Sequence, residues 1–559
     1  MKKAKQMISM LLVLMLSATA FVGCGGGGSS SAASTASSGG GQAASQAASS
    51  TGDSGAAASG ERPTFNVATV RWTDTWPIDF LETGFMKEME DMANVDIDWQ
   101  VYYNSDWSEQ KSLLLASGNL HDAFLGSISL NASDVSQNIS YFVELTDLIE
   151  PNMPNLTAAF AAEPELKAIA TDRDGKIYSL PKKLPLRPEV CGNVGFINQD
   201  WLDNLGLSVP TTYKELEDVL LKFASEDADG DGDATNEYGL TGSAGSYVLS
   251  NDLRNILSPF GTMVSRDNNY MGLNGDGNPV FMPIQDNYKE AVAWMRNLYE
   301  NGAVDPEYFT QESSMATSKR QAEGGSKVGL LFGWTADAEA GINVEQFTLL
   351  EALEGPDGNR YVENAANFLD ISDRELLITT KCADPAALLK WADAFYTDLG
   401  ALQTFYGSVP EYVADNGDGT YSVLVPTDGS SLDTSAWSNS LRDFGPKYMT
   451  PSFYSNVKLP ENQGDGVKLA QDAVNGKYVT DGKNTGFPQV KYTQEELERL
   501  ATLGTDIYKY VEANYAKWVV EGGIDSEWDA YLTQLDNMGL QEMIGIQENA
   551  YKYYLEALA

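Results

Sequence analysis

The chain has 559 residues, with 79 Asp and Glu against 37 Lys and Arg, a formal net charge of -42. That balance excludes a nucleic-acid partner, whose phosphates need a basic surface, and excludes electrostatic docking on anionic lipid. A hydrophobic share of 43% with 11 tryptophans excludes general disorder, because enough apolar surface exists to offset the entropy of ordering.

The N-terminus carries Lys2, Lys3 and Lys5, then an apolar run from Met7 to Val22 that ends in Phe21-Val22-Gly23-Cys24. Basic, apolar and small residues in that order form an export signal, and the run is too short for a comfortable membrane span. Residues 25 to 60 are almost only Gly, Ser, Ala, Thr and Gln, with Asp53 as the one charge. Such a segment is a flexible tether with no side chains to build a core.

Globular sequence begins at Pro63. Phe65 to Val70 reads as a strand, a helix follows through Phe85, Met86 and Met89, and Val95 to Trp99 alternates as a second strand. Trp107 to Ala116 reads as a helix and Ala123-Phe124-Leu125 as a short buried strand. Alternation of this kind predicts an α/β fold with a mostly parallel sheet. Thr212-x-x-Glu215 and Thr493-x-x-Glu496 read as capping boxes, and Asp384-Pro385 as an N-cap with proline at N1. The helix from Thr493 runs to Gly522-Gly523, another starts at Asp525/Ser526, and a last one holds Met543, Ile544, Ala550, Tyr551 and Tyr554. Asn274-Gly-Asp276-Gly, Asn416-Gly-Asp418-Gly and Pro356-Asp357-Gly358 read as turns between strands.

Phe21 to Cys24 resembles the bacterial lipobox, with Phe21 in place of the usual Leu. Ala116-Ser-Gly-Asn-Leu-His-Asp122, the run Gly195 to Leu207, Pro210-Thr-Thr-Tyr-Lys-Glu-Leu216, Leu298 to Glu307, and Thr493 through Trp528-Asp529-Ala530-Tyr531 to Leu540 are similar to segments of extracellular solute-binding lipoproteins of ABC importers. The chain most resembles the long, carbohydrate-type branch of that family found in Firmicutes. The resemblance implies a two-lobed type II periplasmic-binding-protein-like α/β fold, with mixed sheets flanked by helices and a hinge between lobes. It implies a signal peptide over 1–23 and a lipidated Cys24 with its tether over 24–62. Lobe 1 then takes 63–190, lobe 2 takes 191–365, lobe 1 resumes over 366–430, and a helical region mainly in lobe 2 fills 431–559. The crossovers fall near Cys191-Gly192-Asn193 and near Asn364 to Asp370. The implied function is capture of a sugar or oligosaccharide and its delivery to the transmembrane subunits of an ABC permease. The protein would be a monomer at the extracellular face of a Gram-positive cytoplasmic membrane, touching the membrane only through its lipid.

The sharpest local pattern is Asp227-x-Asp229-x-Asp231-Gly232-Asp233-x-x-Asn236-Glu237. Oxygens at alternate positions with Gly at the sixth open an EF-hand-like calcium loop. An EF-hand wants Glu at position 12, where this chain has Tyr238; Glu237 stands one earlier. Asp227, Asp229, Asp231, Asn236 and Glu237 are the side-chain ligand candidates, with Asp233 acting mainly through its carbonyl. The expected ion is structural Ca2+. The alternative is a solvated acidic loop, in which four aspartates and a glutamate would repel one another.

The resemblance places the ligand in loops at strand ends, facing across the hinge. Trp and Tyr stack on the apolar faces of sugars, and Asp, Asn and Arg bond their hydroxyls. The candidates are Trp72, Asp74 and Trp76 after the first strand, Ser127, Arg187, Trp334 after the strand Val328 to Phe332, and Trp437 in a polar loop. Nothing marks a catalytic pair or nucleophile, so the chain reads as no enzyme. A peptide ligand, a carbohydrate-active enzyme and a surface adhesin stay open as alternatives. Pairing of Cys191 with Cys382 is also open, and the lone histidine, His121, reads as the end of a surface turn.

Overall fold

The computed structural model describes residues 62–184, 190–245, 247–364, 371–461, 463–479 and 486–558. The signal, the tether, Cys24 and Arg187 lie outside the described residues. The first strand, β1 (Thr64–Arg71), is buried at Phe65 and throughout Val67 to Arg71. β2 (Asp96–Tyr103) and β3 (Ala123–Leu125) pair parallel to it on either side, with Phe65 opposite Ile97 and Val67 opposite Ala123. Helices Gly84–Ala93 and Asn104–Ser117 connect them. This is the strand–helix alternation that the sequence predicts.

β4 (Leu180–Lys183) ends the first pass through this lobe. Beyond the crossover come β5 (Val194–Asn198), β6 (Tyr238–Leu240), the hairpin of β7 (Met271–Leu273) and β8 (Pro279–Phe281), then β9 (Val328–Gly333) and β10 (Phe347–Leu349). Four of these form a second sheet in the order β10-β5-β9-β6. The chain returns as β11 (Ile371–Ile378), antiparallel to both β3 and β4. A further hairpin, β12 (Val413–Asp415) with β13 (Tyr421–Val423), precedes β14 (Lys447–Tyr448) and β15 (Val457–Lys458). The first sheet then reads β14-β4-β11-β3-β1-β2. Both sheets are therefore mixed rather than mostly parallel. β11 re-enters from the second lobe and so meets its neighbours from the opposite direction, and β5 pairs antiparallel with β9 and β10.

The segments at Cys191 and Asn364 lie side by side, and residues 365–370 of the second expected crossover lie outside the described residues. Cys191 forms an antiparallel bridge with Asn364, and the Gly192 N–H donates to Glu363 O at 2.7 Å. The helix Asp465–Val479 lies against the first crossover: Asp472 accepts from the Cys191 N–H at 2.9 Å and Lys468 donates to Gly192 O at 2.9 Å. The return to lobe 1 extends further than residue 430. β14 belongs to the first sheet, and Leu432 and Met449 pack with Leu184, Leu402 and Phe405 in one apolar cluster. Phe453, Tyr454, Val457 and Leu459 pack against the same cluster. The long helices Gln494–Glu521, Ile524–Asn537 and Leu540–Leu558 bury Ile507, Trp518, Tyr531 and Met543 in the same core as Ile197 and Trp201 of lobe 2.

The helix caps follow the sequence with one change. The Thr493 box is complete, and Asp384 accepts from the Ala387 N–H. Thr212 accepts from the Glu215 N–H, but the Glu215 carboxylate bonds Thr211 rather than Thr212. The β7–β8 and β12–β13 turns are the predicted Asn-Gly-Asp-Gly segments. Cys191 and Cys382 are buried thiols in different apolar clusters, which closes the disulfide question. His121 is half-buried, its Nε2 2.8 Å from the Tyr102 hydroxyl, and burial lowers its pKa. No helix among the described residues is long and apolar enough to cross a membrane.

Candidate functional site

A cavity of about 1070 Å³ takes wall residues from both sheets' loops. Trp72 follows β1 directly and Ser127 follows β3 by two residues, as expected for ligand loops at strand ends. Phe444 stands beside them, its ring centroid 5.8 Å from that of Trp72. One buried carboxylate organises this side. Glu375, wholly inaccessible on β11, accepts from the Ser127 N–H at 3.1 Å, from the Gly445 N–H at 2.8 Å and from the Ser372 hydroxyl. Three wall segments distant in sequence are thereby fixed to one side chain. Gly126 permits the turn into Ser127: its φ is +91°, and an added Cβ would sit 3.2 Å from Phe444.

Of the residues singled out in the sequence, Trp72 and Ser127 line the cavity. Trp76 and Trp437 lie off its wall and stack on each other, with centroids 5.1 Å apart and planes at 15°. Trp437 sits on the helix Leu432–Asn439, not in a loop. Asp74 is exposed in the turn after β1, off the wall. Trp334 is also off the wall, half-buried at the crossover with the Lys468 ammonium 4.1 Å from its ring centroid.

The wall carries charged residues that no local pattern marks. Arg254 bonds Glu363 at 3.1 Å, and Lys491 lies 2.6 Å from Asp373 and 2.9 Å from Asp172. Arg374 touches Asp373, and Arg173 reaches Glu496 at 3.5 Å. Burial alone would raise the Asp373 pKa, but the charges of Arg374 and Lys491 outweigh it and hold the group below its ordinary value. Burial raises Glu363 against the opposing pull of Arg254.

A second constellation stands apart from the cavity, between the helix Tyr213–Phe223 and β6. Asp227, Asp229, Asp231 and Glu237 each offer an oxygen, all within 4.8 Å of one another. Asp227 Oδ1 and Glu237 Oε1 are buried and accept no hydrogen bond among the described residues. Glu237 is raised by burial and by the charge of Asp229. Asp231 is lowered to about 2 by hydrogen bonds from Asn236 and Lys327. The Asp233 carboxylate is turned to the Thr235 N–H and hydroxyl, which leaves its carbonyl as the expected contribution. Gly232, at φ +92°, supplies the bend. Hard oxygens converging in this way, two of them buried and unbonded, fit a calcium ion. The residue that the sequence missed is Lys327, 2.6 Å from Asp229 and 3.1 Å from Asp231 and from Asn236 Oδ1. It immediately precedes β9, about ninety residues on, with no local signal.

Two mixed sheets with adjacent crossovers and a large cavity between their loops define a two-lobed solute-binding protein. The chain belongs to the family of ABC transporter substrate-binding proteins. It is 30% identical over 497 residues to the fructooligosaccharide ABC transporter substrate-binding protein FusA of Streptococcus pneumoniae serotype 4, covering 86% of this chain and 88% of that protein. The solved structure of S. pneumoniae FusA in complex with kestose superposes with a TM-score of 0.73 at 27% identity, over 88% of this chain and 99% of that one. A FusA EF-hand mutant in complex with fructo-nystose matches with the same scores and coverage. No protein-family model matches the chain.

Proposed function

We propose that this protein captures an oligosaccharide in the cavity between its lobes and hands it to the membrane subunits of an ABC permease. The observation that carries the proposal is the wall itself: an exposed Trp72 braced by Phe444, facing loops rich in charged and amide groups. The aromatic face stacks on sugar C–H groups, and the polar side chains take the hydroxyls. A volume of about 1070 Å³ is at the top of the range of roughly 300–1,000 Å³ usual for small-molecule sites and suits several sugar units better than one. The relative FusA is a fructooligosaccharide receptor, which supports the same class of ligand here. Ligand would bridge the lobes and favour the closed arrangement. The protein acts by binding, as a monomer, without chemistry on the sugar.

The export signal and lipobox-like Cys24 support a lipid anchor at the outer face of the cytoplasmic membrane, with the tether holding the body near the permease. Asp227, Asp229, Asp231, Asn236 and Glu237, with the Asp233 carbonyl, would hold a structural calcium ion that joins the end of one helix to β6. The EF-hand named for FusA supports that assignment.

A thermal-shift panel tests the function. It contains neutral oligosaccharides of fructo-, gluco-, galacto- and manno-configuration, oligogalacturonides and short peptides. Stabilisation by at least one oligosaccharide is expected through mass action. Stabilisation by peptides with none from any sugar would make it a peptide receptor.

A further inference from the structure

This inference rests on the carbohydrate proposal and concerns which sugars the cavity admits. Four cations stand on its described wall, and each is matched by a carboxylate. Arg254 is held by Glu363 at 3.1 Å, Arg374 and Lys491 share Asp373, Lys491 also meets Asp172 at 2.9 Å, and Arg173 reaches Glu496. Two more wall carboxylates, Asp174 on a lobe 1 turn and Asp267 in the 3-10 helix Arg266–Asn268 of lobe 2, are exposed and have no ion-pair partner among the described residues. They accept only uncharged donors: Asp174 from the Lys176 N–H and the Tyr178 hydroxyl, Asp267 from the Tyr247 hydroxyl.

The described wall therefore has no cation to spare, and its unmatched charge is negative on both sides of the cavity. A carboxylate-bearing sugar would lose water, find no unpaired cation among the described wall residues and face Asp174 and Asp267. A neutral sugar offers hydroxyl donors to the same carboxylates at no such cost. We propose that the cavity selects uncharged oligosaccharides and rejects uronate-bearing ones, and that the Arg254–Glu363 pair enforces this by keeping the guanidinium engaged. Arg254 also has a buried Nε without an acceptor among the described residues, so it is the cation best placed to serve an added anion once Glu363 is neutralised.

The test is calorimetric titration of the full chain with the best neutral tetrasaccharide of the panel and with tetragalacturonate. The neutral sugar is expected to bind at least about 100-fold more tightly, the scale of opposing like charges at an interface. Glu363→Gln is expected to strengthen tetragalacturonate binding about tenfold or more relative to the neutral sugar. Tetragalacturonate bound by the wild-type protein within tenfold of the best neutral sugar would overturn the selectivity and leave the carbohydrate proposal standing. Binding of no sugar at all would overturn both. The wild-type comparison decides the matter even if the substituted protein does not fold.

Discussion

The Lys327 ammonium lies 2.6 Å from the Asp229 carboxylate, inside the loop whose alternating oxygens suit a calcium ion. Lysine and calcium would draw on the same oxygens, since Lys327 also reaches Asp231 and Asn236. Lys327→Met should tighten calcium binding about tenfold by removing that competing charge. Asp229→Asn should weaken it. Calcium titration by calorimetry reads both, and an unchanged or weaker affinity in Lys327→Met would show that the lysine does not compete.

Calcium should also stabilise the fold, because the loop ties the helix Tyr213–Phe223 to β6. At a hundredfold excess over Kd the gain is about 2.7 kcal/mol by mass action. The melting temperature should fall on chelation and recover with added calcium. The same cycle in Asp227→Asn should be blunted. A melting temperature indifferent to calcium would contradict the structural role.

Trp72 and Trp76 separate two readings of the aromatic turn after β1. Trp72 is 48% exposed and lines the cavity, whereas Trp76 stacks on Trp437 away from it. Trp72→Ala should weaken oligosaccharide binding about 10- to 100-fold through lost stacking and apolar contact. Trp76→Ala should cost stability instead, with affinity little changed. Parallel titration and thermal denaturation of the two variants distinguish them.

Lys447 gives the protein a pH signature. Burial pushes its ammonium down to about 7, and Lys182 acts in the same direction against Glu375 and Asp443. The unfolded lysine keeps its proton up to about pH 10.4. Between those values the unfolded chain binds more protons, so stability rises with pH, by at most about 1.4 kcal/mol per unit. The contribution is complete above about pH 10 and is lost as the pH falls to about 7. Lys447→Met should remove this part of the slope in urea denaturation measured from pH 7 to 10.

Local features were legible because local chemistry decides them. Thr493 and Asp384 cap their helices, and the Asn-Gly-Asp-Gly turns close hairpins. The cavity wall was not legible in the same way. Arg254 ends the helix Val248–Arg254, Asp267 sits in the short 3-10 turn Arg266–Asn268 and Lys491 lies in a loop, and Glu375 joins Ser127 to Gly445 across the chain. No periodicity encodes such meetings. Trp76 and Trp437 show the converse: two exposed-looking tryptophans satisfied each other, and residue type alone did not separate them from Trp72. The segment ending in β14 was misplaced because its allegiance depends on the cluster around Leu402 and Phe405, a long-range contact.

Capture of an oligosaccharide between the lobes is tested most directly by titrating the neutral oligosaccharides of the panel into wild-type protein and Trp72→Ala in parallel. The expected result is saturable binding of at least one sugar at one site per chain, weakened in the variant without loss of fold. Saturable binding of a peptide with none of any sugar, or sugar binding untouched by Trp72→Ala, would contradict it.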